Sequence, residues 1–314
     1  MDQAEKLRSI VKQNKIKDAE QDAIINNIVM KVGKDKQKKA RVITVTSGKG
    51  GVGKSSTSIN LAIQLKKRGK NVIIFDADFG LANIEVMFGA VPKYNLSDVI
   101  FKGKDIKEII VNGPMDIGFV SGGSGINGLG NMTRDQVMYL VETLKELEAM
   151  TDVLIIDTGA GISDSVIEFL LSSAEVLLVT TPEPTSITDS YALLKTLNTR
   201  AGSESADMIV KLVANRVSGA VEARNLYSKL SVVVHKFLNL KLEYLGMVPL
   251  DTNMSKSVMQ QKPISIAYPD SEGAKALGRI ADTLLGQKHI NEENGEKKGI
   301  AAAIVKIFKN KKHE

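Results

Sequence analysis

The 314-residue sequence contains no cysteine. Disulfide staples, thiolate nucleophiles and cysteine-bound metal clusters are therefore excluded. Histidine is nearly as scarce: His235, His289 and His313 are scattered, and no serine, histidine and aspartate grouping suggests a covalent nucleophile. No apolar run reaches the roughly 18 residues of a transmembrane helix, and the first residues are polar, so a cytoplasmic protein is expected. Residues 1–39 lack proline and have no glycine before Gly33. What is present is 43% hydrophobic residues, enough for the core of one large α/β domain with appended ends.

The net charge of +6 is uneven. Residues 1–39 hold 10 basic against 6 acidic side chains, and residues 287–314 hold 7 against 4. Between them, residues 40–286 hold 25 basic against 26 acidic. The basic character belongs to the ends, which points to terminal recognition segments and disfavours a nucleic-acid-binding body.

The most informative stretch, residues 44–57, reads Thr-Val-Thr-Ser-Gly-Lys-Gly-Gly-Val-Gly-Lys-Ser-Ser-Thr. Residues 41–46 have the β-branched composition of a strand, and Ile59, Ala62, Ile63 and Leu65 follow at helical spacing. Strand, glycine loop and helix is the setting of a phosphate-binding loop. Gly48, Gly50, Gly51 and Gly53 let backbone N–H groups, that of Val52 included, converge on phosphate oxygens. The helix adds its positive N-terminal end at Lys54, Ser55 and Ser56. Lys54 is placed to reach the terminal phosphates of ATP or ADP, and the Ser55 hydroxyl to ligate Mg²⁺. Lys49 adds a further cation near a triphosphate, or is merely exposed.

Two apolar strands end in aspartates. Residues 71–75 lead into Asp76-Ala77-Asp78, and residues 152–156 into Asp157-Thr158-Gly159. In a parallel sheet, ligands gather beyond the carboxyl ends of the strands, which sets these carboxylates beside the phosphate loop. There they suit Mg²⁺ contact or orientation of the attacking water. Further on, residues 208–214 form a strand ending in Asn215, whose amide offers the donor and acceptor an adenine edge needs; its chemistry alone fits a structural role equally well. Helices are expected over 94–110, 133–150, 190–199, 255–261 and 274–285, strands over 115–120, 175–180 and 242–248, and a glycine-rich mobile loop over 121–130.

The spelling Lys-Gly-Gly-Val-Gly-Lys-Ser resembles the deviant P-loop ATPases of the MinD/ParA family. The resemblance implies an ATP-dependent homodimer in which Lys49 crosses to the partner's nucleotide. It also implies that Asp78 positions water, that Asp76 and Asp157 belong to the metal environment with Ser55, and that Asn215, Pro249 and Leu250 contact the base. The absent cysteines exclude the iron–sulfur relatives of this class.

The two ends narrow the resemblance. Asp2-Gln3-Ala4-Glu5-Lys6-Leu7-Arg8 is similar to the Asp-Gln-Ala-x-x-Leu-Arg motif of the FlhG family, MinD-like regulators of flagellar number and placement. That similarity implies a segment, including Asp2, Gln3, Leu7 and Arg8, that activates the GTPase FlhF, with the flagellar switch proteins FliM and FliN or FliY as further partners. By composition alone residues 1–39 are a solvated charged arm, with residues 33–39 as linker. At the other end, residues 287–298 read as a linker, and residues 299–314 as an amphipathic helix with Ile300, Ile304, Ile307 and Phe308 on one face and lysines opposite. It suits an anionic membrane surface, which would make the protein reversibly peripheral at the inner face of the membrane; packing on the domain is the alternative.

The expected architecture is α/β: a doubly wound, mostly parallel sheet with helices on both faces over residues 40–286. A MinD-type division-site regulator is disfavoured by the 39-residue extension, and a ParA-type DNA-segregating ATPase by the near-neutral body. A protein-tyrosine kinase on a similar loop would have a tyrosine-rich tail, and no tyrosine follows Tyr268.

Overall fold

A computed structural model describes residues 40–78, 83–123, 134–173 and 175–286. Their eight strands form one sheet: β1 (Arg41–Thr46), β2 (Val72–Ala77), β3 (Val111–Asn112), β4 (Gly118–Ser121), β5 (Val153–Thr158), β6 (Glu175–Thr180), β7 (Ile209–Val217) and β8 (Lys241–Pro249). The order is β3-β4-β2-β5-β1-β6-β7-β8. Every pairing is parallel except β3 with β4, so the sheet is mostly parallel, as expected.

The helices are α1 (Lys54–Lys67), α2 (Asn83–Phe88), α3 (Leu96–Lys102), α4 (Ile106–Ile109), α5 (Arg134–Ala149), α6 (Asp164–Ser172), α7 (Pro184–Ala201), α8 (Ala220–Phe237), α9 (Thr252–Met259), α10 (Ile264–Ala267) and α11 (Glu272–Gly286). The central strands are buried throughout, because helices cover both faces. Side chains alternate between two cores. Ile43, Ile74, Ile155 and Leu177 pack with α1 and α11, whereas Val42, Phe75, Leu154 and Ile156 pack with α3, α4 and α5. Val176, Leu178, Val210 and Leu212 meet α6, α7 and α8 on that second side.

Several elements differ from their sequence expectations. Helix α7 begins at Pro184 rather than near 190, because Pro184 occupies the first turn, where its missing N–H costs no hydrogen bond. Strand β4 begins at Gly118, since Met115 and Asp116 adopt positive φ of 60° and 57° within a 3₁₀ turn. Helix α8 has no counterpart in the sequence reading. Its buried stripe, Ala223, Leu226, Leu230 and Val234, is helical in spacing, but the Val232-Val233-Val234 run has strand composition. The expected segments 1–39, 124–133 and 287–314 lie outside the described residues.

The connection from β1 through α1 reaches β2 by passing β5, and the chain from β5 reaches β6 by passing β1. Connections thus diverge beside β1. A crevice opens at the carboxyl ends of the strands at such a point, and the loop after β1 lies in it.

Candidate functional site

The loop from Ser47 to Gly53 is shaped by two glycines that no other residue replaces without displacement. Gly53 has φ 93° and precedes α1; a Cβ there would lie 2.3 Å from Asn215 Nδ2. A Cβ at Gly48 would lie 2.2 Å from the Asp189 carbonyl carbon, so the loop presses directly on the first turns of α7. Gly51 also has a positive φ of 77° and faces open space. The Val52 side chain is buried beneath the loop, while its carbonyl accepts a hydrogen bond from Asn215 Nδ2 at 2.7 Å.

Above the loop lies a cavity of about 730 Å³. Gly50, Gly51, Gly53, Lys54, Ser55, Ser56 and Asp78 all line it, together with Asn83, Gly159 and Arg216. Gly159 is close to Asp78: a Cβ on it would lie 3.7 Å from Asp78 Oδ1. The Gly161 N–H donates to the Ser47 carbonyl at 2.9 Å, tying the turn after β5 to the end of β1.

The charges beneath this cavity are unequal in number. Lys54 Nζ lies 3.1 Å from Asp157 Oδ1, and both groups are buried. Ser58 Oγ donates to the same oxygen at 2.7 Å, and Lys54 Nζ lies 3.4 Å from Ser55 Oγ. Asp76 and Asp157 are adjacent in register on β2 and β5, and Oδ2 of each is buried with no hydrogen-bond partner. Burial, followed by the charge of Asp157, pushes the Asp76 carboxyl up to about 8; the Asp78 N–H bonded to it and Lys54 offset only part of that. Two orphaned carboxyl oxygens beside a serine hydroxyl form a hard-oxygen donor set, in which Asp76 can exchange its proton for a cation. That chemistry fits Mg²⁺.

Lys49 points elsewhere within its own chain, donating to Glu183 Oε2 at 3.0 Å and to Thr185 Oγ1 at 2.8 Å at the start of α7. A second cavity of about 560 Å³ adjoins the first and shares Gly53, Ser56, Arg216 and Val258 with it. It is lined by Asn215, Pro249, Leu250, Asp251, Met254 and Met259 among others. Asp251 caps α9 through the Asn253 N–H and also accepts from the Gly273 N–H; these bonds outweigh burial and hold its carboxyl below the usual range.

The predicted residues thus separate into groups. Gly50, Gly51, Gly53, Lys54, Ser55, Ser56 and Asp78 share one cavity, Asn215, Pro249 and Leu250 share the other, and Gly48 and Val52 line neither. Asp76 and Asp157 sit below the first, and Lys49 lies to one side. Asp2, Gln3, Leu7, Arg8, Ile300, Ile304, Ile307 and Phe308 lie outside the described residues. The lining residues without an assignment from sequence include Asn83, at the start of α2, and Arg216, whose only signal was its place beside Asn215 at a strand end.

Comparison with known proteins gives this geometry a lineage. The ParA family model, described as NUBPL iron-transfer P-loop NTPase, matches residues 38–285. The antiactivator FleN of Pseudomonas aeruginosa is 39% identical over 77% of this chain and 85% of its own length. The flagellum site-determining protein YlxH of Helicobacter pylori is 31% identical over 88% of this chain and 92% of its own. Among solved structures, the cell division ATPase MinD of Pyrococcus furiosus superposes with a TM-score of 0.61 at 25% identity, covering 78% of this chain and 98% of that one. The chain has no cysteine with which to hold the iron of the family description. With its phosphate loop, its strand-end aspartates and these relatives, the chain belongs to the MinD/ParA family of P-loop ATPases, in the FlhG group of its MinD-like members.

Proposed function

We propose that the protein is an Mg²⁺-dependent ATPase switch that sets flagellar number and placement. The observation that carries the ATPase chemistry is the pair of adjoining cavities around Gly53, one lined by Lys54, Ser55 and Asp78 and the other by Asn215 and Pro249. Together they suit a triphosphate and a purine nucleoside. Ser55, Asp76 and Asp157 would hold Mg²⁺, which supplies charge neutralisation at the phosphates. Lys54 and the loop N–H groups bind the terminal phosphates, and Asp78, in the same cavity, orients water. Phosphoryl transfer needs little more than this positioning and neutralisation.

ATP then brings two chains together, with Lys49 leaving Glu183 and Thr185 for the partner's nucleotide. That exchange is cheap, because the contacts it breaks are solvent-exposed. Dimerisation presents two copies of residues 299–314 to an anionic membrane, where one alone binds marginally. Residues 2–8 act on the GTPase FlhF, and FliM with FliN or FliY are the further partners. The flagellar reading is supported by the motif at residues 2–8 and by the relatives FleN and YlxH.

Co-sedimentation of Asp78→Ala protein with anionic liposomes tests the switch. The variant is expected to bind ATP, to turn over roughly 100-fold slower or less, and to pellet with ATP but not with ADP, and only when residues 299–314 are present. Folded, ATP-bound protein that never pellets overturns the membrane part. For the partner, the full chain should accelerate GTP hydrolysis by FlhF and Gln3→Ala should not; equal rates contradict the role of residues 2–8.

A further inference from the structure

Among the described residues, Arg216 is the one charged residue that lines both cavities. Among the described residues it is also the one non-glycine residue with positive φ inside a strand, at 56°; Met115, Asp116 and Gln261 occupy turns. An arginine in the left-handed region is disfavoured by its own Cβ. The conformation has a visible cause. The pairing of β7 with β8 shifts register between Asn215 and Val217, so Arg216 is a bulged residue, flanked by buried Asn215 and buried Val217. A bulge beside a site re-aims one side chain, here from a sheet face into the crevice. Among the described residues the Arg216 side chain has no hydrogen bond and no ion pair, so nothing in the fold compensates the strain. The other cations near the loop are engaged: Lys54 on Asp157 and Lys49 on Glu183.

Building on the nucleotide reading above, we propose that Arg216 binds the phosphate chain where it joins the nucleoside. Its guanidinium fixes the register between a base in one cavity and terminal phosphates in the other. A planar fork of N–H donors suits two phosphate oxygens at such a junction, and its charge adds to that of Lys54 without competing for the same oxygens.

The test is ADP binding by the full chain, measured calorimetrically with Mg²⁺, alongside thermal unfolding without nucleotide. Asparagine and glycine tolerate positive φ. Arg216→Asn and Arg216→Gly should therefore melt at or above the wild-type temperature while binding ADP about tenfold more weakly or worse. Arg216→Lys, which keeps the charge but loses the planar fork, should bind ADP more weakly than wild type and more tightly than Arg216→Asn. A binding loss joined to unchanged or higher stability is what a merely structural role would not produce. Wild-type affinity in Arg216→Asn overturns the inference. Equal losses in Arg216→Lys and Arg216→Asn overturn the phosphate assignment, since charge would then not be what is recognised. If the wild-type protein itself binds no ADP, the nucleotide reading falls and this inference falls with it.

Discussion

The sheet buries a charged group at each end, and the two are built on opposite plans. At the amino ends of the strands, Glu175 on β6 receives Arg41 Nε on one carboxylate oxygen, and Arg41 Nη2 at 2.8 Å and Lys211 Nζ at 2.9 Å on the other. One acid faces two bases. Burial alone would raise its pKa, but the two cations outweigh burial and hold Glu175 below the usual carboxylate range. At the carboxyl ends, Asp76 and Asp157 share one cation among the described residues, Lys54, and each keeps a buried oxygen with no partner among them. There the carboxyl of Asp76 rises to about 8. A buried ion group complete within the protein serves the fold, whereas one short of positive charge is poised for a cation from outside.

Substitutions at the two ends should therefore separate stability from chemistry. The largest effect on stability is expected from Glu175→Gln, which leaves two buried cations without their counter-charge. Urea unfolding should show a loss of about 3 kcal/mol or more, with nucleotide affinity preserved. At the opposite end, Lys54→Ala should lower ATP turnover roughly 100- to 1000-fold, as removal of a transition-state charge partner does. A variant that loses only stability would make that end resemble the other.

The pH dependence of the metal-free protein sharpens the contrast, because the two carboxyls carry opposite signs. Asp76 has a folded pKa above its unfolded value near 4, so its contribution is full below pH 4 and declines as pH rises toward 8. Asp76→Asn should flatten that decline and melt higher than wild type at pH 8 in EDTA. Glu175 has a depressed pKa, so its contribution is present above about pH 4 and lost as pH falls below it; Glu175→Gln should remove that acid-side loss. The smallest effect belongs to a pair that is neither buried nor short of charge. Arg68 bonds Asp282 between α1 and α11 with Asp282 well exposed, and Asp282→Ala should cost no more than about 1 kcal/mol in urea unfolding.

The same contrast explains what the sequence disclosed. The carboxyl-end site was legible because its parts are local: strand, glycine loop and helix are contiguous, and each aspartate directly follows an apolar run. The amino-end group was not. Arg41 and Glu175 are 134 residues apart, and each is one charge at the margin of an apolar strand until the register of β1, β6 and β7 brings them together. Lys211 was passed over inside the strand expected at 208–214 for the same reason. Arg216 was missed because a positive φ and a bulge leave no mark on residue type when the residue is not glycine. Helix α8 was missed where a valine run competes with a helical stripe, and tertiary burial of Ala223, Leu226, Leu230 and Val234 decides between them.

Thermal unfolding of wild type, Lys54→Ala and Glu175→Gln, each with and without saturating Mg-ATP, tests the division between the two ends most directly. Ligand at about 100 times its Kd adds roughly 2.7 kcal/mol to a protein that binds it only when folded. Glu175→Gln should gain the full wild-type increment from a lower baseline, and Lys54→Ala should gain little. A full increment in Lys54→Ala, or its loss in Glu175→Gln, would contradict the account.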